Sequence, residues 1–104
     1  MARFDAYRNP RRESAREVLF LLDVQSDLLE GLESRVVVPL SAAHAVKRAA
    51  SRLNPVFQVA GDEVVMDASQ LAGVPGSALK KPVASLGTMA FEIQNALDFL
   101  FAGV

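Results

Sequence analysis

The chain contains no cysteine and a single histidine, His44. Without thiols there is no disulfide framework and no thiolate metal site, a composition that suits a reducing compartment such as the cytosol. One histidine leaves little material for an imidazole-based zinc site. An excess of either charge is missing too: 11 basic residues stand against 12 acidic ones. No global field draws the protein toward nucleic acid or an anionic lipid surface. Long apolar runs are absent. The longest clean one, "VLFLL" at 18–22, is far short of the roughly 20 residues that a membrane span needs. The start, "MARFDAYR", lacks the apolar stretch of a signal peptide. These absences predict a cytoplasmic protein with no membrane segment and no direct contact with nucleic acid.

What remains is the material of one folded domain. The chain has 104 residues, half of them hydrophobic, which is enough for a single domain over 1–104 with a modest core. Residues 3–7 are extended in character, with Phe4 and Tyr7 as aromatic anchors. "RNPRRESAR" at 8–16 is polar and broken by proline, so it reads as a loop. Residues 17–25 are rich in large apolar side chains and read as a strand buried on both faces. Gly31 turns the chain within 28–34. Residues 35–40, "RVVVPL", form a second strand, and Pro39 places itself near a strand end or on an edge because it lacks a ladder donor. Residues 55–67 read as a hairpin around Gly61-Asp62, with glycine in the first central position of a type II′ turn. Residues 71–82 carry one short strand before a loop.

The period changes over 86–101. Leu86, Met89, Ala90, Ile93, Leu97 and Leu100 mark one face of an amphipathic helix, with Ser85 as its N-cap. Phe91, Asn95, Asp98 and Ala102 mark a second stripe that faces outward. Residues 42–53 also have helical spacing, and their alanines favour a short helix. Strands in succession followed by a helix predict an antiparallel sheet or small barrel, with edges that invite a homodimer.

Chemistry is harder to find. "AGVPG" lacks the spacing of a phosphate loop and the helix start that should follow it. No nucleophile elbow is present, and a triad could draw only on His44, in an alanine-rich segment. Asp23 and Asp27 could form an acid–base pair, but such residues more often bond turn amides. No catalytic residue, metal or cofactor is expected. Arg8, Arg11, Arg12 and Arg16 crowd one loop, a landing site for an acidic peptide or a phosphate backbone that Glu13 and Glu17 partly neutralise. Lys80-Lys81 and Lys47-Arg48 are weaker signals. The apolar end "FLFAGV" either tucks into its own core or projects into a partner, and Gly103 is a natural helix stop.

The order of these features resembles the CcdB family, toxins of plasmid and chromosomal toxin–antitoxin pairs. "LDVQSDLLE" at 22–30 looks like the family's "VDVQSDIID", and "RVVVPL" like its "RMVIPL". "RRES" at 11–14, "NPVFQVAGDE" at 54–63, "LAGVP" at 71–75 and "IQNALDFLFAGV" at 93–104 follow in the family's order. The resemblance implies a mainly β fold, an SH3-like barrel with antiparallel strands and a C-terminal helix, dimerising through sheet and helix. It also implies a plasmid-maintenance toxin that is not an enzyme and needs no cofactor. Such a toxin inhibits DNA gyrase by binding the gyrase A protein, and an antitoxin with an acidic, disordered tail neutralises it. The implied gyrase contacts are Leu28, Leu29, Asp98, Ala102, Gly103 and Val104; the implied antitoxin contacts are Arg8, Arg11, Arg12 and Ser26. Two positions depart from the family pattern. Ala102 stands where the family's Phe-Trp-Gly-Ile finish has tryptophan, and Asp98 where the best-known members carry asparagine. An interface tryptophan is a large rigid anchor, and its loss commonly costs at least ~2 kcal/mol. The alternative is therefore an antitoxin-binding module that no longer targets gyrase. A less favoured alternative is a MazF-like endoribonuclease using Arg11, Arg12 and Asp27.

Overall fold

The computed structural model describes residues 2–46 and 50–103. Among these residues seven strands come in chain order: β1 (Asp5–Arg8), β2 (Val18–Asp23), β3 (Ser34–Ala42), β4 (Val56–Val59), β5 (Asp62–Met66), β6 (Ala72–Pro75) and β7 (Pro82–Ser85). One helix, α1 (Ala90–Ala102), follows. The sheet runs β4-β5-β3-β2-β1-β7, with β6 added on β3. Every pairing is antiparallel. The sheet curls into a half-barrel with α1 at its end, which is the mainly β, SH3-like class expected from the sequence.

The long strand β3 organises the fold. Its first half pairs with β6, Ser34–Val37 against Pro75–Ala72. Its last three residues pair with β5, Leu40–Ala42 against Met66–Val64. Pro39 stands where the partner changes, in the interior of a central strand rather than near an end. A residue's N–H and C=O point to the same edge of a strand, and the Pro39 carbonyl accepts from the Asp67 N–H at 2.9 Å. The missing donor thus faces the gap between β6 and β5 and costs no bond to β2.

Both faces of β2 are covered. Phe20 and Leu22 enter the main core with Val38, Leu40 and Phe57, and α1 adds Ile93, Ala96 and Leu97. Leu21 points the other way, into a smaller cluster of Tyr7, Val37 and Leu79. This two-sided burial is what the apolar-rich stretch of 17–25 predicted.

Four local expectations need correction. The hairpin turn is centred on Ala60-Gly61, one residue earlier than expected, because Val59 pairs with Asp62. Both turn residues have positive φ, 50° and 88°, so the turn is of the primed type with two left-handed centres rather than II′. The helix is entered later than expected: Ser85 ends β7, its hydroxyl accepts from the Gly87 N–H at 3.2 Å, and Met89 precedes α1 without a side-chain cap. β7 itself was not expected. Finally, Ala42 belongs to β3 and bonds the Glu17 carbonyl, so no helix begins at 42. A single helical turn covers Ala43–Ala45 and turns occupy 51–53. Residues 47–49, with Lys47-Arg48, lie outside the described residues.

Candidate interaction surface

The chain after β2 is held by its own polar groups. The Asp23 carboxylate is buried; Oδ2 accepts from Arg35 Nε at 2.9 Å and Nη2 at 2.6 Å, and Oδ1 accepts from the Gln25 N–H at 3.0 Å. Gln25 in turn accepts from the Val36 N–H and donates to the Leu29 carbonyl. The Ser26 hydroxyl accepts from the Leu28 N–H. With its polar atoms committed inward, this loop turns its leucines outward: Leu28 is 95% exposed and Leu29 50%. The acid–base alternative for Asp23 and Asp27 does not hold, because the two carboxylates serve different partners. Asp23 takes Arg35 and a turn amide, and Asp27 Oδ1 accepts from the Arg3 N–H at 2.8 Å.

Across from this loop α1 presents Gln94, Leu97, Asp98 and Phe101. Arg3 joins loop and helix: its Nε donates to the Val24 carbonyl at 3.0 Å and its Nη2 to Gln94 Oε1 at 2.8 Å. Gln94 then donates to Asp98 Oδ1 at 3.0 Å. The backbone that carries Arg3 into place is unusual, since Phe4 has φ 72°. That conformation is costly for a bulky residue; burial of the Phe4 ring and two backbone bonds, to the Asp23 carbonyl and from the Leu86 N–H, hold it. Between loop and helix runs a groove of about 540 Å³, lined by Arg3, Ser26, Leu29, Leu32, Asp98 and Phe101 among others. Phe101 is 73% exposed. An open apolar groove of this kind marks a protein contact more often than a small-molecule pocket.

The residues expected at this surface divide. Leu29, Asp98 and Ser26 meet in the groove. Leu28, Ala102 and Gly103 are exposed beside it but do not line it. Gly103 closes the helix in a left-handed conformation, φ 74°, with its N–H on the Phe99 carbonyl. Val104 lies outside the described residues. Phe101, from the apolar end, also lines the groove, together with Arg3 and Leu32, which were not singled out from the sequence.

The arginine loop lies elsewhere. Asn9 braces it, donating to Ser14 Oγ and the Val18 carbonyl and accepting from the Arg11 N–H. Arg8, Arg11 and Arg12 are all exposed. Arg11 lines a cavity of about 430 Å³ and Arg8 a neighbouring one of about 250 Å³, whereas Arg12 lines neither. Among the described residues the one ion pair is Arg35–Asp23, so Glu13 and Glu17 do not bond these guanidiniums. Ser26, the fourth implied antitoxin contact, lies in the helix groove.

A protein-family model described as "CcdB protein" matches residues 3–103. This chain belongs to the CcdB family. CcdB proteins are toxins of toxin–antitoxin systems, poisons of gyrase rather than enzymes. In this CcdB chain both surfaces fall inside the matched span. No helix among the described residues is long and apolar enough to cross a membrane, and no cluster of three or more potential metal ligands occurs among them.

Proposed function

We propose that this CcdB-family toxin works in the cytoplasm by protein–protein contact. It forms a homodimer through sheet and helix. The patch made by Leu28, Leu29, Asp98, Ala102, Gly103 and Val104 meets the gyrase A protein, and Leu32 and Phe101 extend it. An antitoxin with an acidic disordered tail neutralises the toxin through Arg8, Arg11 and Arg12, with Ser26 on the far side. The observation that carries this reading is the groove beside α1. It exposes Leu29, Leu32 and Phe101 side by side, and the Arg3–Gln94–Asp98 chain fixes one carboxylate on its wall. Apolar anchors around a fixed polar group are the anatomy of a protein interface.

A second reading rests on one residue. Ala102 is exposed at the end of α1, where the family pattern has a tryptophan, and a methyl group offers no anchor there. On this reading the chain binds its antitoxin and has released gyrase. Induced expression in a bacterial host separates the two. Growth arrest relieved by the antitoxin supports the toxin; normal growth together with tight antitoxin binding supports the second reading. Ribonuclease chemistry has little support, because Asp27 bonds the Arg3 amide near the helix groove while Arg11 lines the cavity at the β1–β2 loop.

A further inference from the structure

The two cavities at the β1–β2 loop are parts of one surface. Asn9, Pro10 and Ala78 line both, so the loop rises between them as a shared wall. The larger is apolar over most of its lining, with Val18, Leu21, Pro39, Val74 and Pro75. The smaller brings in Lys80 and Lys81 from the segment between β6 and β7. Among the described residues, every charged one that lines either cavity is a cation: Arg11 in one, Arg8, Lys80 and Lys81 in the other. The chain as a whole has a formal net charge of −1, so this segregation is local. None of the four makes an ion pair among the described residues.

We propose that Lys80 and Lys81 join Arg8 and Arg11 in one seat for an acidic peptide segment, and that the apolar cavity under the β1–β2 loop takes one of its hydrophobic side chains. The proposal rests on the antitoxin reading and adds to it the second bank of cations and the pocket between. Charge complementarity selects an acidic ligand. The apolar cavity selects a peptide over a phosphate backbone, which brings no side chain to fill it. Single-stranded nucleic acid would need an open aromatic face on which to stack bases; Tyr7, the one aromatic residue on these linings, is 2% exposed. Lysines and a proline at the head of the edge strand β7 also discourage self-pairing. Exchanging the lysines for glutamates preserves that protection, so charge reversal isolates binding.

The test uses the full chain and a short fluorescent peptide in which glutamates flank a single leucine. A glutamine-for-glutamate version, an alanine-for-leucine version, a DNA duplex and heparin are the comparisons. K80E/K81E is expected to weaken the acidic peptide about tenfold at low salt, with the difference shrinking as salt rises. The alanine peptide should bind several-fold more weakly, and the glutamine peptide hardly at all. Wild-type binding by K80E/K81E, with weakened binding by R11E/R12E, overturns this proposal and leaves the antitoxin reading standing. Unchanged binding by both variants, or no binding by any protein, overturns both. Equal competition by DNA and heparin, with no effect of the leucine, marks a general polyanion surface and also overturns the proposal. Thermal unfolding checks the fold of each variant; if K80E/K81E melts early, K80Q/K81Q replaces it, with a smaller loss expected in the same direction.

Discussion

Arg35 and Asp23 are out of water together, with exposures of 2% and 0%. A buried pair gains little over an apolar pair of the same shape, but breaking it strands a charge. Arg35→Met alone should therefore cost about 3–5 kcal/mol in urea unfolding, and Asp23→Leu/Arg35→Met should recover most of that loss. Equal destabilisation by the single and the double variant would contradict the pairing. Nearby, Tyr7 keeps its hydroxyl in the smaller core without a hydrogen-bond partner. Burial pushes that hydroxyl above its ordinary value of 10.0; Asp5 and Asp23 add to the rise and Arg35 opposes it. The folded state thus holds its phenol neutral. Below the ordinary value both states are protonated and the contribution is fully present. As pH climbs beyond it, the unfolded chain ionises first and the contribution is lost. Stability curves taken across that alkaline range should fall less steeply for Tyr7→Phe than for the wild type; parallel curves would refute this. At the hairpin, Ala60 has φ 50°, which a β-carbon resists. Ala60→Asn suits the turn and should add about 0.5–1 kcal/mol.

At the scale of the element, α1 is held by one face. Ile93 is fully buried in the main core while Phe91 is 77% exposed. Ile93→Ala should cost about 2–5 kcal/mol, and Phe91→Ser should stay within roughly 0.5 kcal/mol, both read by denaturant unfolding. This face was legible in the sequence, because Leu86, Ile93 and Leu97 recur at the helical period and Phe91, Asp98 and Ala102 do not share it. The strand expected over 17–25, observed as Val18–Asp23, was legible for a related reason: an apolar stretch without alternation implies two covered faces. Other elements were hidden by their tertiary partners. β7 is a short edge strand headed by Pro82 with no alternating pattern, and its order comes from pairing with β1. Residues 42–46 carry helix-forming alanines, but β5 and the Glu17 carbonyl claim Ala42 for the sheet. Pro39 reads as an edge residue until β3 is seen to change partners beside it.

At the scale of the whole molecule, the two candidate surfaces differ in physical character. One is an apolar groove with the fixed Asp98 carboxylate; the other is a cationic seat around an apolar pocket. The crowding of arginines in one loop was legible from the sequence alone, and the family resemblance added Leu28 and Leu29. The groove itself was not visible, because Arg3 and Gln94 are 91 positions apart and no local pattern announces their bond. The exposed leucines of the loop and Phe101 of the helix come together only through that fold. On the proposed function, this groove and the helix end hold gyrase. The most direct test incubates purified protein with gyrase and plasmid DNA and follows supercoiling and cleaved DNA together. The expected result is inhibition with accumulation of cleaved DNA, strengthened by Ala102→Trp about tenfold or more as the anchor is restored. Undisturbed supercoiling and no cleaved DNA with either protein, at micromolar concentration, would contradict it.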